Sequence, residues 1–355
     1  SFEASLTMIR AVAALCLAAT AVNAGTWKVV QQLSDIGLGI TFTSATEGYL
    51  VGAYNGEEGQ WLLKTTNGGV NFTNTMITTS FGISLCVDAE KDAVFMNSLF
   101  SGYVSQDGGS TWANSTGDHA MGQGCRTENN EFFSVGQGLF WGQGVAHSAN
   151  GDHFVARNIT NIPDGMQVQF GAFPASDAWY VSMGTFPQSD DDEQTKQNVG
   201  EHGNFSAGIM KSTNGGISWS VLFKDTSGTF DFNEIDCEDA KTCCTVGGGG
   251  NIGNIYCTSD GSTFKQVWSS TTASYMTIKS QGNGNWVCSG NVVNGQSVYA
   301  SVLRSSDNGA TWTEDDLSTL PQLAVIDSSF PTMSSGFMLG IDRFNSMLLV
   351  SKIDQ

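Results

Sequence analysis

Positive charge is scarce in this chain: 15 Lys and Arg stand against 34 Asp and Glu in 355 residues, for a formal net charge of −19. Phosphate recognition needs clustered cations, so nucleic acid is excluded as a partner, and an anionic membrane surface is disfavoured with it. The acidic excess is read as a solubility device first, leaving cationic protein surfaces, divalent ions and neutral glycans open. Proline, at five residues, and histidine, at four, are also rare. His119, His147, His153 and His202 lack the i, i+4 spacing of a helical metal site, and neither a G-x-S-x-G elbow nor an H-E-x-x-H motif occurs. Each histidine is therefore expected to be an exposed loop residue or a satisfied polar one.

Long apolar runs are missing too. The longest lies near the N-terminus, where Met8-Ile9-Arg10 leads into the stretch Ala11 to Val22 and the small-residue close Val22-Asn23-Ala24. This is the layout of a secretory signal peptide, with cleavage expected after Ala24. The apolar stretch is about 12 residues, too short for a bilayer that needs about 20. Residues 1–24 are thus read as leader and signal peptide and 25–355 as one domain, with no membrane span after cleavage. The secretory pathway, ending outside the cell, is the expected compartment, and a plastid or thylakoid lumen the alternative.

Cysteine usage fits that route. Cys16 leaves with the signal, and the remaining seven include a cluster in which Cys237 and Cys243 can bridge across a hairpin while Cys244 can reach Cys257. Zinc is disfavoured, because there is no C-x-x-C pair and no His near the cluster. Asn71, Asn114, Asn158 and Asn204 head N-glycosylation triplets. No cofactor or metal is expected, although the run Asp190 to Glu193 offers calcium a set of loop oxygens.

What the chain has in quantity is Gly, at 43, with 21 Phe and nine Trp. That is the usage of an all-β protein with many tight turns and aromatic strands. A short pattern, S/T-x-D/N-x-G-x-x-W/F, occurs at Thr65 to Phe72, Ser105 to Trp112, Ser212 to Trp219 and Ser305 to Trp312, and one residue shorter at Ser148 to Phe154 and Thr258 to Phe264. Its key positions are Asn67, Gly69 and Phe72; Asp107, Gly109 and Trp112; Asn150 and Phe154; Asn214, Gly216 and Trp219; Asp260 and Phe264; Asp307, Gly309 and Trp312. The Asn or Asp is expected to bond nearby backbone N–H groups and the Gly to take a conformation closed to other residues. The aromatic then opens the next strand with its ring buried beneath the turn.

The Asn or Asp positions are 40, 43, 64, 46 and 47 residues apart, the period of a four-stranded propeller blade. The wide gap holds an insertion at about 186–206, read as an exposed acidic loop. In the first unit, strands are expected at Ile40 to Thr43, Gly48 to Ala53 and Trp61 to Thr65, with Phe72 opening a fourth. A later unit repeats this at Met276 to Lys279, Trp286 to Gly290 and Val298 to Ser305. After the sixth turn only three strands follow, at Leu323 to Asp327, Gly336 to Ile341 and Met347 to Ile353. Thr26-Trp27-Lys28-Val29-Val30 mirrors Thr263-Phe264-Lys265-Gln266-Val267, so the N-terminal strand is expected to complete the last unit. The result is a seven-bladed β-propeller. The run Gly247 to Gly250 is read as lying between two strands and precedes no helix, which makes it a poor phosphate loop.

The short pattern resembles the Asp-box, or BNR repeat. Sialidases with this repeat hold a substrate carboxylate with three Arg and carry an F-R-I-P segment before the first box. Here Arg126, Arg157, Arg304 and Arg343 are the arginines after the leader, and the first unit has neither an Arg nor that segment. No carboxylate pair stands out as a glycosidase pair. The layout over residues 26 to 353, with Lys64-Thr65-Thr66-Asn67-Gly68-Gly69, Lys211-Ser212-Thr213-Asn214-Gly215-Gly216, Gly48-Tyr49-Leu50-Val51-Gly52 and Ala178-Trp179-Tyr180-Val181, resembles the photosystem II stability and assembly factor family. That resemblance implies a non-enzymatic assembly factor that binds a newly made membrane subunit, and a monomeric scaffold for a protein partner is the expectation for this chain. A glycan-binding or glycan-cleaving Asp-box propeller is the competing expectation.

Overall fold

A computed structural model describes residues 26–33, 37–54, 57–78, 82–98, 101–120, 124–129, 131–138, 141–185, 205–249 and 252–353. The proposed signal peptide, most of the acidic insertion, His202 and Asn204 lie outside these residues. Among the described residues there is no helix, and the strands form seven sheets, here blades I to VII. Blade I is Gly37–Phe42, Gly48–Tyr54, Glu57–Thr65 and Thr73–Thr78, in that order from the inner edge outward, every neighbour antiparallel. The innermost strands of blades II to VII are Gly82–Asp88, Gly124–Glu128, Gln167–Ala175, Asp231–Cys237, Ala273–Gly282 and Leu323–Thr332. Blade III gains a fifth, two-residue strand, Thr116–Gly117, parallel to its outer strand His153–Asn158.

Blade VII draws its outer strand from the start of the chain. Lys28–Leu33 runs antiparallel to Met347–Ile353, with Lys28 opposite Ser351 and Leu33 opposite Met347. Trp27 occupies the slot that the turn aromatic fills in other blades. It is 1% exposed, meets Phe330 edge-on at 6.4 Å, and donates from Nε1 to Asp315 at 2.9 Å.

The second strand of each blade explains the pattern of the core. It is sandwiched between two neighbouring sheets, so both of its faces are apolar: Ala93–Ser98, Ala178–Gly184 and Cys243–Gly249 are buried at every residue. Successive residues point to opposite neighbours. Phe132 packs with blade II and Phe133 with blade IV; Trp286 packs with blade V and Val287 with blade VII. The core is accordingly seven blade-to-blade clusters, and not one centre.

Three sequence expectations need correction. The glycine run does not lie between strands, since Gly247 to Gly249 are inside the second strand of blade V. A Cβ on Gly247 would sit 1.8 Å from the Asp231 carbonyl oxygen, so Gly is required by the close approach of the inner strand. The insertion ends sooner than expected, because Phe205 and Ser206 already belong to the strand Phe205–Ser212. Strands also run past their expected ends, as with Ala273–Gly282 against Met276 to Lys279.

Candidate functional site

The six short turns lie between the third and outer strands, and the four longer ones share one bonding pattern. In blade II, Ser105 Oγ donates to Asp107 Oδ1 at 2.8 Å and accepts the Gly109 N–H at 2.8 Å, while Asp107 Oδ1 accepts the Thr111 N–H at 2.8 Å. Thr65, Asn67 and Gly69 repeat this, as do Ser212, Asn214 and Gly216, and Ser305, Asp307 and Gly309. The longer turns contain two consecutive left-handed residues, such as Gly68 and Gly69, or Asn308 and Gly309. The shorter turns keep one, Gly151 or Gly261. Trp112, Trp219 and Trp312 return their indole N–H to the carbonyl of the turn glycine. Phe154, Trp219 and Phe264 are buried, whereas Phe72, Trp112 and Trp312 are half-buried, and all but Phe154 sit one residue before their strand.

These turns also join blades. A Cβ on Gly69 would meet Leu349 of blade VII, on Gly109 Leu62 of blade I, on Gly151 Val104 of blade II, and on Gly309 Cys257 of blade V. Each turn glycine is thus pressed against the preceding blade. Lys64 of blade I and Lys211 of blade IV, each just before its own turn, donate to carbonyls of the next blade's turn: Gly108 at 3.4 Å and Gly261 at 2.9 Å.

The innermost strands enclose a central channel of about 740 Å³ to which all seven blades contribute. Six of them carry a β-bulge near the start, between Gly37 and Gly39, Gly82 and Ser84, Val168 and Phe170, Phe232 and Glu234, Tyr275 and Thr277, and Val325 and Asp327. A bulge inserts one unpaired residue and re-aims side chains. Leu38, Gln169, Asn233, Met276 and Ile326 are such inserted residues, and all five line the channel.

An inner strand is also a sheet edge, whose free N–H groups need acceptors. Side chains of the preceding blade supply them at four of the seven seams. Glu128 of blade III accepts the Phe173 N–H of blade IV. Glu234 and Asp236 of blade V accept the Ile278 and Ser280 N–H groups of blade VI at 3.0 and 2.7 Å. Asn291 of blade VI accepts from Val325 of blade VII at 2.7 Å, and Asp327 of blade VII from Ile40 of blade I at 2.9 Å.

Three of these carboxylates converge on Arg126 of blade III. Its guanidinium bonds Glu234 at 2.8 Å, Glu128 at 3.2 Å and Asp236, and lies 5.0 Å from the centre of the Phe170 ring. Lys279 adds a contact to Asp236 at 3.3 Å. Burial opposes the Arg126 charge, but Asp236, Glu128 and Glu234 outweigh it and hold the group protonated beyond its ordinary range. Burial likewise opposes ionisation of Asp236, yet Arg126 and Lys279 keep it below the usual carboxylate range. For Glu234 burial wins over Arg126 and pushes the carboxyl up to about 7. Asp327 has only backbone donors, and burial pushes it up to about 6. Nothing in the sequence pattern marks Arg126 or its partners, because Glu234 and Asp236 lie more than a hundred residues away from it.

The remaining candidates are dispersed. Disulfides join Cys237 to Cys243 and Cys244 to Cys257, both within blade V. A third, Cys86 to Cys125, links the inner strands of blades II and III and was not anticipated, while Cys288 is free and buried. Asn71, Asn114 and Asn158 are exposed. His147 meets Glu131 at 3.0 Å and His153 meets Thr116 at 3.0 Å. His119 corrects the expectation of an exposed or satisfied residue. Its ring is half-buried beside Phe95 and Phe154, and Nε2 is shielded from solvent without a partner. Burial lowers its pKa accordingly.

No family model matches the chain, and no curated protein matches it. Solved structures do match. The chain is similar to YCF48 bound to D1 peptide, with a TM-score of 0.63 at 14% identity over 94% of this chain and 97% of that one. It is similar also to YCF48 from Cyanidioschyzon merolae, with a TM-score of 0.58 at 14% identity over 92% and 98%. A GH74 enzyme from Niastella koreensis overlaps at a TM-score of 0.45 and 13% identity, over 88% of this chain and 65% of its own. The YCF48 likeness is one of fold: a propeller of similar extent, end to end.

Proposed function

We propose that this chain is a non-catalytic, monomeric propeller scaffold of the secretory route or a lumen, which binds a protein partner through the channel mouth and the loops around it. The observation that carries the reading is the state of the inner-strand carboxylates. Glu128, Glu234, Asp236 and Asp327 are each held by a backbone N–H of the next blade, and three of them by Arg126 as well. A glycosidase needs two carboxyl groups free to serve as acid and as base or nucleophile. Groups whose lone pairs hold the ring together are poorly placed for either role. A propeller of the same fold has been solved with a peptide bound, which supports a peptide as the class of ligand.

The test combines three measurements. Tagged protein should give secretory or extracellular fluorescence, and affinity capture with cross-linking should recover one partner, with cross-links on channel-mouth residues such as Met276 and Lys279. Chromogenic glycosides and a glycan array should stay blank. Hydrolysis that disappears in Glu234→Gln would overturn the scaffold reading.

A further inference from the structure

The outer strand of a blade has one edge unpaired, and such an edge offers its N–H and C=O groups to any other extended chain. An exposed charge, a lysine above all, is the usual guard. Four blades here have one. Lys224 on Ser220–Gly228 of blade IV, Lys265 on Lys265–Ser270 of blade V, Glu314 on Thr313–Glu314 of blade VI and Lys28 on Lys28–Leu33 of blade VII are all exposed.

Blades I to III lack this guard. The outer strands Thr73–Thr78 of blade I and Ala113–Asn114 of blade II contain no charged residue. In blade III, His153–Asn158 has Arg157 as its one permanent charge, and Arg157 is half-buried. Apolar side chains stand on two of these strands: Met76 is 50% exposed and Val155 is 43% exposed. On blades IV and VII, Val221 and Val29 are similarly exposed but share their strands with a lysine.

The same three blades carry the Asn-x-Thr triplets of the described residues. Asn71 lies two residues before the outer strand of blade I, Asn114 ends that of blade II, and Asn158 ends that of blade III. All three are exposed, and among the described residues none of their side-chain amides bonds another residue. Asparagines elsewhere are used by the fold, Asn67 and Asn214 in turns and Asn97, Asn233 and Asn291 between blades.

We infer that Asn71, Asn114 and Asn158 are N-glycosylation sites whose glycans guard the outer edges of blades I to III, as charge guards the other four. A glycan is bulky and solubilising, so an extended chain is kept from docking beside it. In the transfer, the Asn Nδ2 forms a bond to the anomeric carbon of an oligosaccharide carried on a lipid pyrophosphate. The bond from that carbon to the pyrophosphate oxygen breaks, the pyrophosphate leaves with the electron pair, and the amide gives up one proton. The inference rests on the secretory route proposed above, and the experiment separates the two.

The full chain is expressed in cultured eukaryotic cells with its own leader and, in parallel, with residues 1–24 replaced by the signal peptide of an unrelated secreted protein. Peptide N-glycosidase leaves Asp wherever an Asn carried a glycan, and peptide mapping by mass spectrometry should find Asp at 71, 114 and 158. Unmodified Asn at these positions in the product secreted with the replacement leader would overturn the inference. Glycans present with the replacement leader and missing with the chain's own would overturn the secretory reading and support the three sites. The guarding role is read from aggregation followed by light scattering. A variant with Asn71→Gln, Asn114→Gln and Asn158→Gln should aggregate about threefold faster than the glycosylated parent at an unchanged urea midpoint, and adding Met76→Lys should slow it again. Parent protein trimmed to a single sugar by an endoglycosidase should show the same acceleration, which keeps the test open if the variant does not fold. An unchanged aggregation rate, or a faster one that Met76→Lys does not slow, would overturn the guarding role.

Discussion

A single hydroxyl organises each short turn, and its removal is the most direct probe of that geometry. Ser105 is 1% exposed and satisfies the buried Gly109 N–H. Ser105→Ala should destabilise the protein by about 1–3 kcal/mol, because the amide keeps its desolvation and loses its acceptor. Urea unfolding should show a lower midpoint at an unchanged slope. Asn308→Gly should be nearly silent in the same assay, since Gly68, Gly108 and Gly215 already fill that left-handed position in other blades. Arg126 is the opposite extreme. Arg126→Met leaves Glu128, Glu234 and Asp236 without their shared cation, a loss expected to reach about 3–5 kcal/mol. The turns were legible in the sequence because their chemistry is local, every partner lying within four residues. Arg126 was not legible, because its partners Glu234 and Asp236 lie over a hundred residues away and are aligned by ring closure.

Strands and their covalent ties raise a different set of expectations. The existence of blade strands was readable from β-rich runs. Their ends were not, since inner strands such as Ala273–Gly282 continue through bulges where alternation fails. The Cys237–Cys243 and Cys244–Cys257 bridges were readable because both are short-range within one blade. Cys86–Cys125 joins two blades across 39 residues, and only the stacking of inner strands brings it together. Chain entropy makes the longer loop the more stabilising, about 4 kcal/mol against about 2 for the six-residue separation of Cys237 and Cys243. Replacing both cysteines of each pair with Ser should therefore lower the melting temperature more for Cys86 and Cys125. Cys288, buried with its thiol pushed up by desolvation, should resist iodoacetamide until the chain is unfolded.

At the level of the whole wheel, acidity sets stability. Burial pushes Asp231 and Asp327 up to about 6 and Glu234 up to about 7. Carboxyls in the unfolded chain titrate near ~4. Between about pH 4 and 7 the folded state therefore holds protons that the unfolded chain has released, and stability falls as pH rises through that window. The turn aspartates act in the other direction and lower down. Asp107, held at about 2 by bonds from Thr111 and Ser105, contributes above the unfolded value and loses that contribution as pH falls toward 2. The urea midpoint should accordingly be higher at pH 5 than at pH 8, and Asp327→Asn should flatten the difference. The seven-bladed count was legible because Trp27 and its strand mirror a turn aromatic and its strand in the sequence. The pairing of Lys28–Leu33 with Met347–Ile353 also fixes how the molecule answers to tension. Because the strands are antiparallel, both ends of the polypeptide leave from the same side of this pair, and pulling on them would peel its hydrogen bonds one after another. Rupture under load should begin there at low force, by unzipping, while blades II to VI still hold.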